Sequence, residues 1–374
     1  MLKKIFFATL FVIVLGLAYL TLWPVPINPV AWNAPKNAGY VGQFAPNMKL
    51  ANLDTLAIGD QHGPEDVAAR VEGGIMYIYT STQSGDIIRI DPVAGTHEII
   101  ANTGGVALGL QFARPGILGG NLIVADAHKG LLSIDDNGVV SVLTDKTDEG
   151  SPILYADELD IAADGKIYFS DASTKFGAEA AGSTLAGSLL ELMEHGKTGR
   201  ILVYNPADKT TKTVVDNLSF PNGVAMCPDD ACILFAETGT YSIKRHWLTG
   251  VKAGATDTVI DNLPGFPDNL NKGQDGRYWI GLTSPRSEAL DNLSAKPFMR
   301  KLVQRLPASM RPKAVNYGFV FAIDMNGKVL AQYQDPSGEY PLTTGGTEPG
   351  DGWLYIGSLG ADVLGRKDLR GETF

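Results

Sequence analysis

The chain has 374 residues, 44% of them apolar, and carries 31 Lys and Arg against 41 Asp and Glu, a net charge of −10. This length and apolar content supply one large core or two ordinary ones. The acidic balance excludes a nucleic-acid groove, which needs a basic face.

The first element is apolar. Lys3 and Lys4 precede about 19 uncharged residues, Ile5–Trp23, matching a bilayer core of roughly 30 Å at roughly 1.5 Å per residue. A secretory apolar region is usually shorter and ends in a small-x-small cleavage site; none follows "GLAYLTLW". The pattern predicts a signal anchor, a transmembrane helix over residues 1–25, with a cleaved signal peptide as the alternative. Basic residues ahead of the span favour an inside N-terminus and place the remainder outside the cytoplasm. "PVPINPVAWNAPKNAG" follows as a Pro/Asn-rich linker, residues 26–49.

Residues 50–374 repeat a pattern of turn, apolar β-rich run and second short strand. It begins at Gly73 (GGIMYIYTSTQSGDIIRID), Gly119 (GGNLIVADAHKGLLSID), Asp164 (DGKIYFSDAS), Asp229 (DDACILFAETGTYSIKRHWL), Asp275 (DGRYWIGLT) and Asp351 (DGWLYIGSLGADVLGR). Short β-branched and aromatic strands at a period of about 45 residues predict an all-β, six-bladed β-propeller. "LDTLAI", Leu53–Ile58, completes the last blade and closes the ring. Within the fourth copy, Cys227 and Cys232 flank Pro-Asp-Asp, a turn that sets them across a hairpin as a disulfide or as two buried thiols.

The third and fifth copies carry helical insertions, Gly182–Gly196 and Ser287–Leu306. Each follows the second strand of its blade, so both project from one face. In the second, Phe298, Met299, Leu302, Val303 and Leu306 form one stripe flanked by Arg300, Lys301 and Arg305. The stripe reads as a helix packed on the propeller, or as a lid or membrane-contacting helix beside the site.

About 11–12 residues ahead of Tyr77, Tyr168, Leu234 and Trp279 stand Glu65, Asp157, Asn222 and Asp268, within "GPEDVA", "YADELDI", "FPNGVAM" and "FPDNLN". In a propeller this offset is the start of each innermost strand, at the mouth of the central channel, so four blades aim an oxygen ligand at one axis. Carboxylate and amide oxygens without thiolates or clustered histidines suit a hard cation such as Ca²⁺. One Asp or Asn before a strand is ordinarily a turn residue; four at one repeat-equivalent position predict a metal site.

"GPED", "ADELDIAADGKIYFSDASTKF", "FPNGVAM", "AET" and "LPGFPDNLN" resemble the strictosidine-synthase-like family, in its membrane-anchored, adipocyte plasma-membrane-associated branch. The likeness runs from about residue 60 to the end. It extends to the wider clan of gluconolactonases, regucalcin, paraoxonases and diisopropylfluorophosphatase, six-bladed propellers with an axial calcium that hydrolyse lactones, aryl esters or phosphotriesters. The resemblance implies Glu65, Asn222 and Asp268 as ligands, with Asn269 a further one. Two departures stand out. The family usually has Asn where this chain has Asp157. The plant alkaloid-forming enzyme relies on a glutamate near the start of its last blade, where this chain has Gly345 in "LTTGGTEPGDG".

Together these readings predict a membrane-anchored, calcium-dependent hydrolase of small-molecule esters or lactones, facing the periplasm or another extracytoplasmic space. The ion would polarise the scissile carbonyl, with Asp268 as base or nucleophile. His128, in "VADAHKG", is a candidate proton shuttle or else an ordinary surface histidine, and His62 a second neighbour of Glu65. The rival reading is a non-catalytic binding propeller with structural calcium. No G-x-S-x-G elbow, H-E-x-x-H, P-loop or C-x-x-C is present, so other chemistries find no support.

Overall fold

Twenty-four strands assemble into six four-stranded antiparallel sheets in the computed structural model, which describes residues 1–374. Five blades are built from consecutive strands. The sixth takes Thr343–Thr347, Trp353–Ser358 and Val363–Asp368 from the C-terminus and its outermost strand, Asp54–Ala57, from the N-terminal side, with Asp54 opposite Arg366. The predicted closure of the ring is therefore present, and it ties the two ends of the propeller together.

The near-continuous apolar runs have a simple cause. Central strands such as Cys232–Glu237 and Gly318–Ile323 are buried at every position, because both of their faces pack against neighbouring blades. Outermost strands such as Thr96–Asn102 are largely exposed and correspondingly polar. Cys227 and Cys232 form a disulfide across the turn, with Cα atoms 5.1 Å apart.

The first insertion is a helix at Thr184–Glu194, capped by the Ser183 hydroxyl on the Ala186 N–H at 3.1 Å. The second, expected as one helix, is two: Glu288–Asn292 and Pro297–Arg305. Pro297 cannot continue a helix but is well placed to begin one. The second of these is also turned differently from its apolar stripe. Arg300 and Arg305 point inward and are buried, while Phe298 and Met299 are exposed. Val303 alone of the stripe packs on the small core of Ile27, Phe176, Met193 and Leu290.

Carbonyl groups explain the reversal. Arg300 donates to the Met193, Glu194, Val30 and Ser294 carbonyls. Two of these are orphan acceptors at the C-terminal end of the first insertion helix, where a cation is favoured. Val30 belongs to the Pro/Asn-rich segment, which lies strapped across both insertions. Ile27 is fully buried, and the Asn28 N–H donates to Glu194 at 2.6 Å. Trp32 stacks on His195 with ring centroids 4.0 Å apart.

The helix Leu2–Leu22 has no buried residue. It is long and apolar enough to cross a membrane.

Candidate metal centre

The innermost strand of each blade contains the same irregularity, two successive residues left out of the pairing register. In the third blade register jumps from Ala156 to Leu159, in the fourth from Pro221 to Val224, and in the fifth from Pro267 to Leu270. The second and sixth blades jump from Ala107 to Leu110 and from Thr343 to Gly346. In the first blade, Glu65 and Asp66 precede the first paired residue, Val67. A bulge of this kind re-aims side chains that a regular strand would send into the sheet. The first bulged positions are thus Glu65, Leu108, Asp157, Asn222, Asp268 and Thr344, a ring of six around the axis.

Four of these carry the predicted oxygen atoms, and they meet. The Asn222 amide donates to Asp157 at 3.1 Å and to Asp268 at 2.5 Å. Asn269, the second bulged residue of its blade, donates to the Glu65 carboxylate at 3.0 Å. All five side chains are nearly or fully buried. The carboxylates alone do not form a three-ligand cluster; the amides of Asn222 and Asn269 lie between them.

Several acceptors in this ring are unpaired. Glu65 Oε2, Asn222 Oδ1 and Asn269 Oδ1 are buried without a hydrogen-bond partner, an arrangement that costs free energy unless something binds them. Burial pushes the Glu65 carboxyl well above the usual range, and the nearby Asp157 and Asp268 push it further. Burial likewise raises Asp268, with Asp157 adding to it, and raises Asp157 to about 8. A divalent cation would reverse these shifts, supplying charge to the carboxylates and a partner to the lone pairs. The residues present fit such an ion.

The pH behaviour of the chelated protein follows. A carboxyl whose pKa is raised on folding binds its proton more tightly in the native state, so the associated stability is lost as pH rises. For Asp157 that window runs from its ordinary value of 3.8 up to about 8. The melting temperature of EDTA-treated protein is expected to fall between pH 5 and pH 8, and calcium at pH 8 to restore it. A melting temperature that stays flat across that window, with and without calcium, would contradict the ring as a cation site.

The second bulged positions hold the blades together. Asp66 accepts from the Leu110 N–H at 3.0 Å and from the Asn271 amide at 2.9 Å, joining three blades. Where the approach is closest the position is glycine. A Cβ on Gly223 would lie 2.2 Å from the Leu270 nitrogen, and one on Gly345 would lie 2.7 Å from Asn271 Oδ1. A larger side chain at this place in the last blade would require Asn271 and Asn269 to move.

Sequence reasoning missed Asp66 and Glu158. Both stand in acidic doublets, Glu65-Asp66 and Asp157-Glu158, aligned with Asn222-Gly223 and Asp268-Asn269. With Leu108-Gly109 and Thr344-Gly345, residue pairs at one repeat position mark the two-residue bulge in all six blades. The two histidines lie elsewhere. His62 turns to Asp362 at the surface, 2.7 Å away. His128 has its backbone N–H on Asp126 and its Nε2 buried without a partner, and it is not part of the chamber wall described next.

Above the ring lies a chamber of about 590 Å³. Glu65, Asp157, Asn222 and Asp268 form its floor, and Leu108, Tyr155, Phe220 and Phe266 its lower walls. The insertion helices and the residues after the N-terminal helix supply the upper part, including Leu189, Met193 and Pro24–Pro26. Few polar groups at the base of an apolar cavity is the usual construction of a small-molecule site.

Residues 42–90 match the strictosidine synthase-like N-terminal family, and residues 157–251 the strictosidine synthase family. The rat adipocyte plasma membrane-associated protein is 30% identical over 368 residues, covering 92% of this chain and 93% of its own length. The chain belongs to the strictosidine-synthase-like family. The structure of a gluconolactonase from Xanthomonas campestris superposes with a TM-score of 0.59 at 15% identity, covering 92% of this chain and 98% of that one. The calcium-binding protein regucalcin from Agrobacterium tumefaciens gives 0.54 at 13% identity, covering 81% and 85%. At such identities these two likenesses establish the shared six-bladed fold. Within the strictosidine-synthase-like family this chain has a carboxylate-rich axial ring and a glycine at position 345.

Proposed function

We propose that this family member is a calcium-dependent hydrolase of esters or lactones, anchored by its N-terminal helix with the propeller outside the cytoplasm. The observation that carries this reading is the ring of Glu65, Asp157, Asn222 and Asp268, with unpaired buried oxygens, at the floor of an apolar chamber. The donor set is all oxygen, three carboxylates and two amides, the preference of Ca²⁺. Bound there, the ion would act as a Lewis acid on the substrate carbonyl oxygen.

The side chains do the rest. Glu65, Asp157, Asn222 and Asn269 would hold the ion, and Asp268, which lines the chamber, would touch both ion and substrate. Asp268 Oδ1 is occupied by Asn222, which leaves the other oxygen to accept a proton from an attacking water. The water oxygen bonds to the acyl carbon, the acyl C–O bond breaks, and the departing alkoxide takes up the proton from Asp268. Leu108, Phe220 and Phe266 exclude bulk water from that step. The cross-hairpin disulfide fits an oxidising compartment.

Gly345 argues against amine–aldehyde condensation, since no carboxyl group stands at that position of the last blade. The test is a panel of lactones and aryl esters given to the purified full-length protein with calcium and with EDTA. Turnover that is lost with EDTA and regained with calcium is expected. Turnover indifferent to chelation would refute the metal role, and no turnover on any member would favour a binding propeller in which the ion is structural.

A further inference from the structure

The axial chamber reaches the point where the N-terminal helix ends. Tyr19 and Trp23, from the last turn of that helix and its cap, line the same cavity as Glu65 and Asp268. The helix end is fixed in place. Arg305 donates to the Leu20 carbonyl at 3.0 Å and the Trp23 carbonyl at 2.6 Å, and the Tyr19 hydroxyl donates to the Arg305 carbonyl at 3.0 Å. A helix of 21 residues spans one bilayer core. Its Tyr/Trp end then sits at the membrane–water boundary, where those side chains are favoured. The chamber mouth, bonded to that end, sits at the boundary too.

The surface around the mouth has the matching composition. Phe298 and Met299 are 56% and 42% exposed, although the helix they stand on buries its arginines instead. Met310 and Val315 are 65% and 56% exposed, on either side of Arg311 and Lys313, which line the mouth. Apolar side chains interspersed with basic ones suit a face lying in a lipid headgroup region. With Arg300 turned inward to its carbonyl partners, Phe298 and Met299 are left on the outer face.

We infer that the insertion face rests on the bilayer and that the site takes its substrate from the leaflet: an amphiphilic ester or lactone whose carbonyl reaches the carboxylate ring while its acyl chain lies along the apolar chamber toward the membrane. The substrate half of this inference rests on the hydrolase reading above; the seating on the bilayer does not. Water adding across the acyl C–O bond would release an alcohol and a fatty acid from an ester, or open a lactone to a single hydroxy acid.

Two measurements on the full-length protein in phosphatidylcholine vesicles test it. The protein has no free cysteine, so Met299→Cys or Val315→Cys can carry a single environment-sensitive fluorophore. Val93→Cys, in the turn between the outer strands of the first blade, is the control on the opposite face. Spin-labelled lipid is expected to quench the dye at 299 and 315 and to spare it at 93. Equal quenching at all three positions, or at none, would overturn the seating. The second measurement compares 4-nitrophenyl acetate with 4-nitrophenyl laurate in the same vesicles. The laurate is expected to be preferred at least about tenfold in kcat/KM, and Phe298→Asp with Met299→Asp to remove that preference while leaving acetate hydrolysis unchanged. Acetate turnover with no preference for laurate would overturn the substrate class. Failure to hydrolyse either ester would overturn the hydrolase reading and the substrate class with it, while the quenching pattern still decides the seating.

Discussion

Replacing Asp268 with alanine is expected to lower ester or lactone turnover about a thousandfold, within the range typical for loss of a general base. It also removes a ligand of the ion and the 2.5 Å partner of Asn222. Asp268→Asn separates the two roles. The amide keeps an oxygen for the cation but cannot take a proton, so Asn should bind calcium far better than Ala while remaining as inactive. The check is kcat measured beside calcium affinity for both variants. Turnover of Asp268→Ala within about threefold of the unaltered protein would remove Asp268 from the chemistry. The raised pKa of Asp268 makes a further point. Burial and Asp157 push the carboxyl up, toward the protonated form that cannot act as a base. The charge of a bound cation would push it back down, so the proposed ion and the proposed base are coupled.

The second large effect is on stability. Arg300→Met is expected to cost about 3 kcal/mol, because the Met193 and Val30 carbonyls would lose their donor, while Glu194 and Ser294 keep the backbone N–H groups of Val30 and Trp32. At this chain length that is a fall in melting temperature of roughly 4 °C. The damage should be local before it is global. Arg300 joins the first insertion helix, the second insertion and the strap at Val30, so residues 24–50 should become sensitive to protease while the blades remain folded. Thermal denaturation and limited proteolysis read both effects. A melting temperature changed by less than about 1 °C would show that the strap is held by its apolar contacts alone.

The blades were legible because a propeller repeats its strongest signal. Tyr77, Tyr168, Leu234 and Trp279 occur at equivalent places in apolar runs, and counting back from them reaches Glu65, Asp157, Asn222 and Asp268. The structure puts those four side chains around one axis, with Asn222 between Asp157 and Asp268. The mechanism of that convergence was not legible. A two-residue bulge leaves no mark on apolar periodicity, and only the doublets point to it.

The insertions were read less well, for a physical reason. An amphipathic stripe tells which face of a helix avoids water, but Phe298 and Met299 face outward here and Arg300 faces in. The pattern assumes water on one side and protein on the other. It fails where a helix must cap another helix's carbonyls. The strap could not be read at all from its composition. Proline and asparagine announce irregular backbone, not where that backbone docks, and the burial of Ile27 depends on Phe176, Met193 and Leu290 from distant parts of the chain.

The central claim is that four blades share one divalent ion, and calorimetric titration of calcium into the chelated full-length protein tests it most directly. One calcium per chain is expected, with affinity reduced roughly tenfold or more in each of Glu65→Gln and Asn222→Ala. Absence of a binding isotherm, or affinities in both variants equal to that of the unaltered protein, would contradict the claim.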